Sequence, residues 1–179
     1  MHATIRCLLL LALVAAAAAV FAGTSRTAAA PPRPHLPAAA QAPDFTPMIH
    51  RLRRNTWRLQ VLMGKPRSHA AMDNPIERLA FWRQTALAAS RQAARPPHRR
   101  AWLCIHRYEG RWVDDRDPYW GGLQMDRGFM WHYAPRFLLR RGLANRWTPV
   151  EQMWVAERAF RRGRGFYPWP NTARMCGLI

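Results

Sequence analysis

The chain has 179 residues, and its 28 basic side chains against 10 acidic ones give a formal net charge of +18. This length fits one domain of ordinary size with extensions, because a domain takes roughly 100–200 residues. The composition excludes a membrane channel, since one long apolar run is present, and it excludes a disulfide-dense mini-protein, since there are three cysteines.

The long apolar run lies near the N-terminus, from Cys7 to Ala22, after a short start that contains Arg6. A positive start, an apolar middle and small residues after it are typical of a secretory signal peptide, which we place at residues 1–30. The run is short for a membrane span, which needs about 20 residues. We therefore predict a cleaved signal and a secreted protein, with an uncleaved N-terminal anchor as the alternative.

Removal of this segment takes away Cys7 and leaves Cys104 and Cys176. An even number of cysteines in a secreted chain predicts one disulfide bond, with two free buried thiols as the alternative. In the chain-entropy account, a bridge that closes so long a loop stabilises the fold by about 4 kcal/mol.

The excess of basic side chains predicts an anionic partner. Nucleic acid is one such partner, because basic proteins neutralise its phosphates. An exported chain instead meets the anionic polymers of the cell envelope, which attract the same charges. We therefore expect anionic cell-wall polymers, no nucleic acid, and no stable insertion into the membrane once the signal is removed.

Two helices are predicted before the domain that carries the chemistry. Residues 31–43 hold five prolines and predict an extended Pro/Ala-rich spacer. Apolar residues then recur near helical spacing in residues 44–64 and 75–94. We expect these two helices to form a hairpin, a basic helical accessory region over residues 44–95.

A linker over residues 96–100 contains Pro96 and Pro97 and precedes the predicted functional domain, residues 101–179. That domain holds seven of the nine tryptophans and is expected to be α-rich, with no convincing strand. We expect it to fold without the accessory region.

Three helical stretches are predicted in and around this domain. The first covers residues 99–109 and stops at Gly110, and the second covers residues 126–141 with an interruption at Pro135. The third begins with a capping box, in which Thr148 caps the helix, Pro149 takes its first position and Glu151 completes the box.

Glu109 is the best candidate for acid–base chemistry. Because each helical residue turns by about 100°, Glu109 falls on the same face as Trp102 and Ile105. A carboxyl group aimed at an apolar face is desolvated and tends to keep its proton at neutral pH, as a general acid requires. A solvated glutamate that pairs with Arg107 or Arg111 is the alternative.

The other carboxylates favour structural roles. Glu157 shares a stripe with apolar residues of the last helix and is expected to pair with an arginine of that helix. Asp114, Asp115 and Asp117 lie in a loop, where one of them could supply a second carboxylate or all three could be solvated. No metal-ligand spacing or cofactor motif is evident, so we expect no metal site and no cofactor.

The segment from Tyr119 to Gln124, with the sequence YWGGLQ, could bind sugars. Aromatic faces pack on sugar rings, amides such as that of Gln124 bind hydroxyl groups, and glycines such as Gly122 allow close approach of the backbone. A tight turn with Tyr119 and Trp120 in the core explains the same residues equally well.

The segment WLCIHRYEG, residues 102–110, resembles the start of the lysozyme-like core in resuscitation-promoting factors and related actinobacterial transglycosylase-like proteins. The YWGGLQ loop is similar to the Y-x-G-G-L-Q loop of this family. The last helix and the Trp169-Pro170 tail that leads to Cys176 match in order and spacing. The resemblance covers residues 101–179 and does not extend to residues 31–100.

The resemblance implies a small lysozyme-like fold that cleaves peptidoglycan. The family's catalytic glutamate falls on Glu109, its substrate loop falls on Tyr119, Trp120 and Gln124, and its disulfide falls on Cys104 and Cys176. Many members carry a cysteine directly before the glutamate, where this chain has Tyr108, so the geometry of the bridge must differ.

We therefore expect a small lysozyme-like α-rich domain with one disulfide, preceded by a helical hairpin, in a secreted and wall-associated enzyme. Its substrate would be the glycan strands of peptidoglycan, cut at the β-1,4 bond between N-acetylmuramic acid and N-acetylglucosamine. Lytic transglycosylation and muramidase-type hydrolysis both remain open. A non-catalytic wall-binding or signalling module of the same fold is the alternative.

Overall fold

The computed structural model describes residues 43–179. The predicted signal peptide, and the predicted spacer apart from Pro43, lie outside the described residues. The described part is mainly helical with one disulfide bond, in agreement with the predicted α-rich class. Within residues 43–179 the structure contains no helix that could span a membrane.

The first six helices begin and end close to the predicted positions. In chain order the helices are α1 (Thr46–Leu62), α2 (Pro75–Ala93), α3 (Arg99–Glu109), α4 (Arg127–Tyr133), α5 (Arg136–Leu139), α6 (Pro149–Ala159) and α7 (Pro170–Met175). A turn of 3₁₀-helix covers Ala144–Arg146, and a kinked turn over Phe160–Arg164 continues α6, with Arg162 and Gly163 outside the helical backbone conformation.

Local capping explains where the clearest helices start. The side chain of Asn74 accepts hydrogen bonds at the start of α2, and Pro75 takes the first helical position. At α6 the hydroxyl of Thr148 accepts the N–H of Glu151, whose carboxylate in turn accepts the N–H of Thr148. The predicted capping box is therefore confirmed.

Three short elements were not predicted from the sequence. Strands β1 (Tyr119–Trp120) and β2 (Met125–Asp126) form an antiparallel pair around the predicted loop. Helix α7 occupies part of the tail, with Pro170 at its first position. Elements of two to six residues are too short to produce a periodic pattern of apolar residues.

Helices α1 and α2 do not form the expected hairpin, because they run in the same direction. Ile49, near the start of α1, packs in one cluster with Leu79, near the start of α2. Leu62, at the end of α1, lines a groove with Ala93, at the end of α2. An antiparallel hairpin would pair the end of α1 with the start of α2.

The segment that connects the two helices, residues 63–74, makes this arrangement possible. It returns along α1, where the indole N–H of Trp57 donates to the carbonyl of Ser68, and the side chain of Gln60 binds both the backbone and the hydroxyl of Ser68. Twelve extended residues reach about 40 Å, more than the roughly 25 Å length of a 17-residue helix.

One hydrophobic core joins α1 and α2 to the predicted functional domain. Leu62 and Ala93 belong to the same buried cluster as Trp102 and Trp154. The indole N–H of Trp154 also donates to the carbonyl of Ala93 at 2.7 Å. The boundary expected at residues 96–100 is therefore a connection within one unit and does not separate two units.

The side chain of Glu157 fixes the start of α3 against α6. It is fully buried, and its Oε1 accepts hydrogen bonds from the backbone N–H of His98 and the indole N–H of Trp102, each at 2.8 Å. The ring Nδ1 of His98 lies 3.1 Å from both carboxylate oxygens. The prediction that Glu157 pairs with an arginine of the last helix is wrong, because His98 and Trp102 bind its carboxylate.

Removal of α1 and α2 should therefore prevent folding of the rest. A shortened chain of residues 97–179 exposes core surface, and each large side chain contributes about 1.5–3 kcal/mol when buried, against a total stability of about 5–15 kcal/mol. We expect no cooperative thermal transition for this chain by circular dichroism. Residues 43–179 are the control, and a cooperative transition in the shorter chain would restore the boundary expected from the sequence.

Candidate functional site

Glu109 is the last residue of α3, at the edge of the core. Trp102 and Ile105 on the same face are fully buried, and Glu109 itself is half-buried. The predicted helix face is therefore confirmed, with the carboxyl group placed where that face meets solvent. The helix ends directly after Glu109, at Gly110.

Helix α7 packs antiparallel to α3 and is held to it by two side-chain contacts. Cys104 and Cys176 form the predicted disulfide bond, with their Cα atoms 6.0 Å apart. Close to the other end of the pair, Thr172 of α7 contacts Glu109 of α3. The bridge lies one helical turn before Tyr108, so the contact beside the glutamate is a hydrogen bond instead of a disulfide.

The hydroxyl of Thr172 is the direct polar neighbour of Glu109. Its Oγ1 lies 2.7 Å from Oε1 of Glu109 and 3.3 Å from the carbonyl oxygen of Trp169. Thr172 is buried, and a hydroxyl carries a single proton, so it can donate to only one of these oxygens at a time. The sequence pattern did not point to Thr172, because no local motif links it to a residue 63 positions away.

Gln124 and Asp114 lie directly beside Gly110. A Cβ atom on Gly110 would lie 2.9 Å from Nε2 of Gln124 and 3.1 Å from Oδ2 of Asp114. The same amide nitrogen of Gln124 donates to Asp114 and to the carbonyl of Gly121. The predicted loop residue Gln124 is thus placed next to the chain neighbour of Glu109.

Both carboxylate oxygens of Asp114 accept hydrogen bonds from neighbouring side chains. Arg116 donates from Nε to Oδ1 at 2.9 Å and from Nη2 to Oδ2 at 2.7 Å, and Gln124 donates to Oδ2 as well. The hydrogen bonds from Arg116 hold the pKa of the Asp114 carboxyl well below its usual range. Asp115 and Asp117 are exposed.

Packing accounts for both glycines of the YWGGLQ loop. Gly121 has a positive φ of 76°, and a Cβ there would clash with Oε1 of Gln152. A Cβ on Gly122 would lie 2.6 Å from Nδ1 of His106 and from the ring of Trp112. Gly122 therefore allows close packing within the protein, whereas the sequence suggested approach to a ligand.

The two aromatic residues of the loop take different positions. Trp120 is only 4% exposed, and the guanidinium of Arg127 lies 4.7 Å from its ring centroid. The ring therefore belongs to the core and does not offer the expected surface for a sugar. Tyr119 is 48% exposed and remains available to a ligand.

A second aromatic surface lies next to Gly110. The rings of His106 and Trp112 are stacked with their centroids 3.9 Å apart. They contribute to an open depression of about 620 Å³, which is lined by His106, Arg107, Gly110, Arg111, Trp112 and Val113. The sequence did not indicate Trp112 as a candidate site residue, because it lies outside the YWGGLQ motif.

Comparisons of the chain with protein-family models, with curated proteins and with solved structures found no match. Within residues 43–179 no group of three or more histidine, cysteine, aspartate or glutamate side chains is arranged to bind a metal ion. The chemistry that this site can support must therefore be argued from its own side chains.

Proposed function

We propose that this protein is a secreted, wall-associated enzyme with a lysozyme-like fold that cleaves the glycan strands of peptidoglycan. The bond cut is the β-1,4 bond between N-acetylmuramic acid and N-acetylglucosamine. The observation that carries the proposal is the position of Glu109, half-buried at the end of an apolar helix face and hydrogen-bonded by a buried hydroxyl. The resemblance over residues 101–179 supports the same assignment.

Glu109 acts first as an acid and then as a base. Its protonated carboxyl group gives a proton to the glycosidic oxygen, and the bond from C1 of the muramyl residue to that oxygen breaks. The muramyl 6-hydroxyl then attacks C1 and gives its proton to the carboxylate of Glu109. This forms a 1,6-anhydro ring, restores the acid and consumes no water.

The state of Asp114 favours this route over hydrolysis. A hydrolase needs a second carboxylate that activates water or attacks the sugar. Both oxygens of Asp114 already accept hydrogen bonds from Arg116, and one also accepts from Gln124. Lytic transglycosylation needs only the carboxyl group of Glu109, so the nearest loop aspartate has no required role in it.

Thr172 can form a hydrogen bond with Glu109 in both protonation states of the carboxyl group. When Glu109 is ionised, the hydroxyl of Thr172 donates to Oε1. When Glu109 is protonated on Oε2, Oε1 is the carbonyl oxygen of the acid and still accepts the hydrogen bond from Thr172, which leaves the proton on Oε2 available to the glycan. The carboxyl group therefore keeps its orientation while the proton leaves and returns.

The surroundings of Glu109 offer contacts for a glycan. Tyr119 is exposed. The amide nitrogen of Gln124 donates to Asp114 and to the carbonyl of Gly121, and its amide oxygen can accept a hydrogen bond from a glycan. Trp112 offers an aromatic ring at the border of the depression. The net charge of +18 would concentrate the enzyme on anionic wall polymers.

Glu109→Gln should abolish most of the activity. Glutamine keeps the shape and accepts the hydrogen bond from Thr172 but cannot give a proton. Loss of general acid–base catalysis lowers rates on the order of 10²–10⁴-fold. The measurement is the release of soluble fragments from purified peptidoglycan by the full-length protein.

Glu157→Gln is the control, because its partners His98 and Trp102 are structural. It should lower the free energy of unfolding by about 1–3 kcal/mol and leave turnover by the folded fraction largely unchanged. Near-normal cleavage by Glu109→Gln would contradict the assignment. An absence of cleavage by the wild type would favour the non-catalytic wall-binding module.

Thr172→Val should lower kcat about tenfold with little change in KM, because the hydroxyl orients Glu109 without contacting the glycan. Thr172→Ser keeps the hydroxyl and should restore most of the rate, which a purely packing role of the methyl group would not allow. Initial rates on soluble glycan fragments measure both parameters.

Thr56→Val is the matched control for this substitution. Thr56 is also fully buried, but its hydroxyl donates to the carbonyl of Leu52 within α1. It should change stability and leave kcat unaltered. Equal losses of kcat in Thr172→Val and Thr56→Val, or no rescue by serine, would remove Thr172 from the mechanism.

A further inference from the structure

Three arginines surround a cavity that the proposed reaction does not use. The cavity has a volume of about 300 Å³, and its lining consists of Gly64, Arg158, Arg161 and Arg162. Gly64 follows the end of α1, whereas the arginines belong to the end of α6 and the kinked turn after it. No residue of this lining contributes to the surroundings of Glu109 described above.

Backbone carbonyls hold two of the three guanidinium groups in place. Arg158 donates from Nε to the carbonyl of Tyr133 at 2.6 Å and from Nη1 to that of Val61 at 3.1 Å. Arg161 donates from Nη2 to the carbonyl of Met63 at 2.7 Å. These donors fix both side chains at the C-terminal end of α1.

The two fixed guanidinium groups converge on one point. A Cβ atom on Gly64 would lie 3.2 Å from Nη2 of Arg161 and 3.4 Å from Nη1 of Arg158. Gly64 has a positive φ of 67° and no side chain to fill this space. The glycine therefore keeps the cavity open between the two positive groups.

The positive charge of the three arginines is not neutralised by a carboxylate of residues 43–179. None of the three arginines forms an ion pair with a carboxylate in the described part of the chain. Burial, together with the nearby charges of Arg162 and Arg161, lowers the pKa of Arg158. The end of α1 supplies only about half a negative charge, against three full positive charges.

We propose that this cavity, the three-arginine cavity, binds the phosphate group of a phosphodiester. Guanidinium groups bind phosphate with paired, charge-assisted hydrogen bonds, and a phosphate offers acceptors in several directions at once. Arg158 and Arg161 form the preformed floor, and the exposed side chain of Arg162 closes on the ligand. The site stands independently of the proposed glycan cleavage.

The test is the thermal unfolding of the full-length protein in inorganic phosphate and in chloride, at the same pH and ionic strength. A ligand that binds the folded state raises Tm with its concentration. We expect a rise in phosphate beyond that in chloride. Arg162→Ala should weaken phosphate binding about tenfold, since it removes a charged donor without removing a backbone contact.

Arg164→Ala is the matched control, because Arg164 is exposed and lies on the same turn but does not line the cavity. It removes the same charge and should keep the response to phosphate. Should Arg162→Ala fail to fold, Arg162→Gln repeats the comparison with a longer side chain. An equal response to phosphate and chloride, or equal losses in both variants, would overturn the proposal.

Two further probes identify the source of the phosphate. Glycerophosphoglycerol represents a soluble or wall-bound phosphodiester, and vesicles of phosphatidylglycerol represent a lipid headgroup. Binding of either probe that Arg162→Ala weakens and Arg164→Ala does not supports the site and names its source. If neither probe binds in this manner, the phosphodiester assignment is wrong.

Discussion

The buried side chain of Gln152 holds together the backbone on which the candidate site is built. Its Oε1 accepts the N–H of Gly122 at 2.8 Å, and its Nε2 donates to the carbonyls of Trp112, Ala144 and Trp147. This one amide side chain therefore gives a hydrogen-bond partner to one backbone N–H and three backbone carbonyls of irregular segments. The loop that places Gln124 beside Gly110 therefore depends on a side chain of α6.

The parts of the fold that could be predicted are those set by neighbouring residues. The capping box of Thr148 and Glu151 defines the start of α6, because both partners lie within four residues of each other. The apolar face of α3 placed Glu109 at the border of the core by helical geometry alone. The disulfide followed from counting the cysteines of a predicted secreted chain.

The parts that could not be predicted depend on distant contacts. The parallel course of α1 and α2 is set by hydrogen bonds between the connecting segment and the side of α1, and periodicity carries no information about direction. Burial of Glu157 was evident from its helix face, but its partner His98 lies 59 residues away. Burial of Trp120 and the hydrogen bond between Thr172 and Glu109 also depend on contacts between residues that are far apart in the sequence.

The proposed cleavage consumes no water, because Glu109 gives its proton to the glycosidic oxygen and recovers one from the muramyl 6-hydroxyl as that hydroxyl attacks C1. Its most direct test is digestion of purified peptidoglycan by the full-length protein in water enriched in heavy oxygen, followed by mass spectrometry of the released fragments. We expect 1,6-anhydro ends that contain no heavy oxygen. Reducing ends that carry one heavy oxygen atom would contradict it and assign a hydrolase.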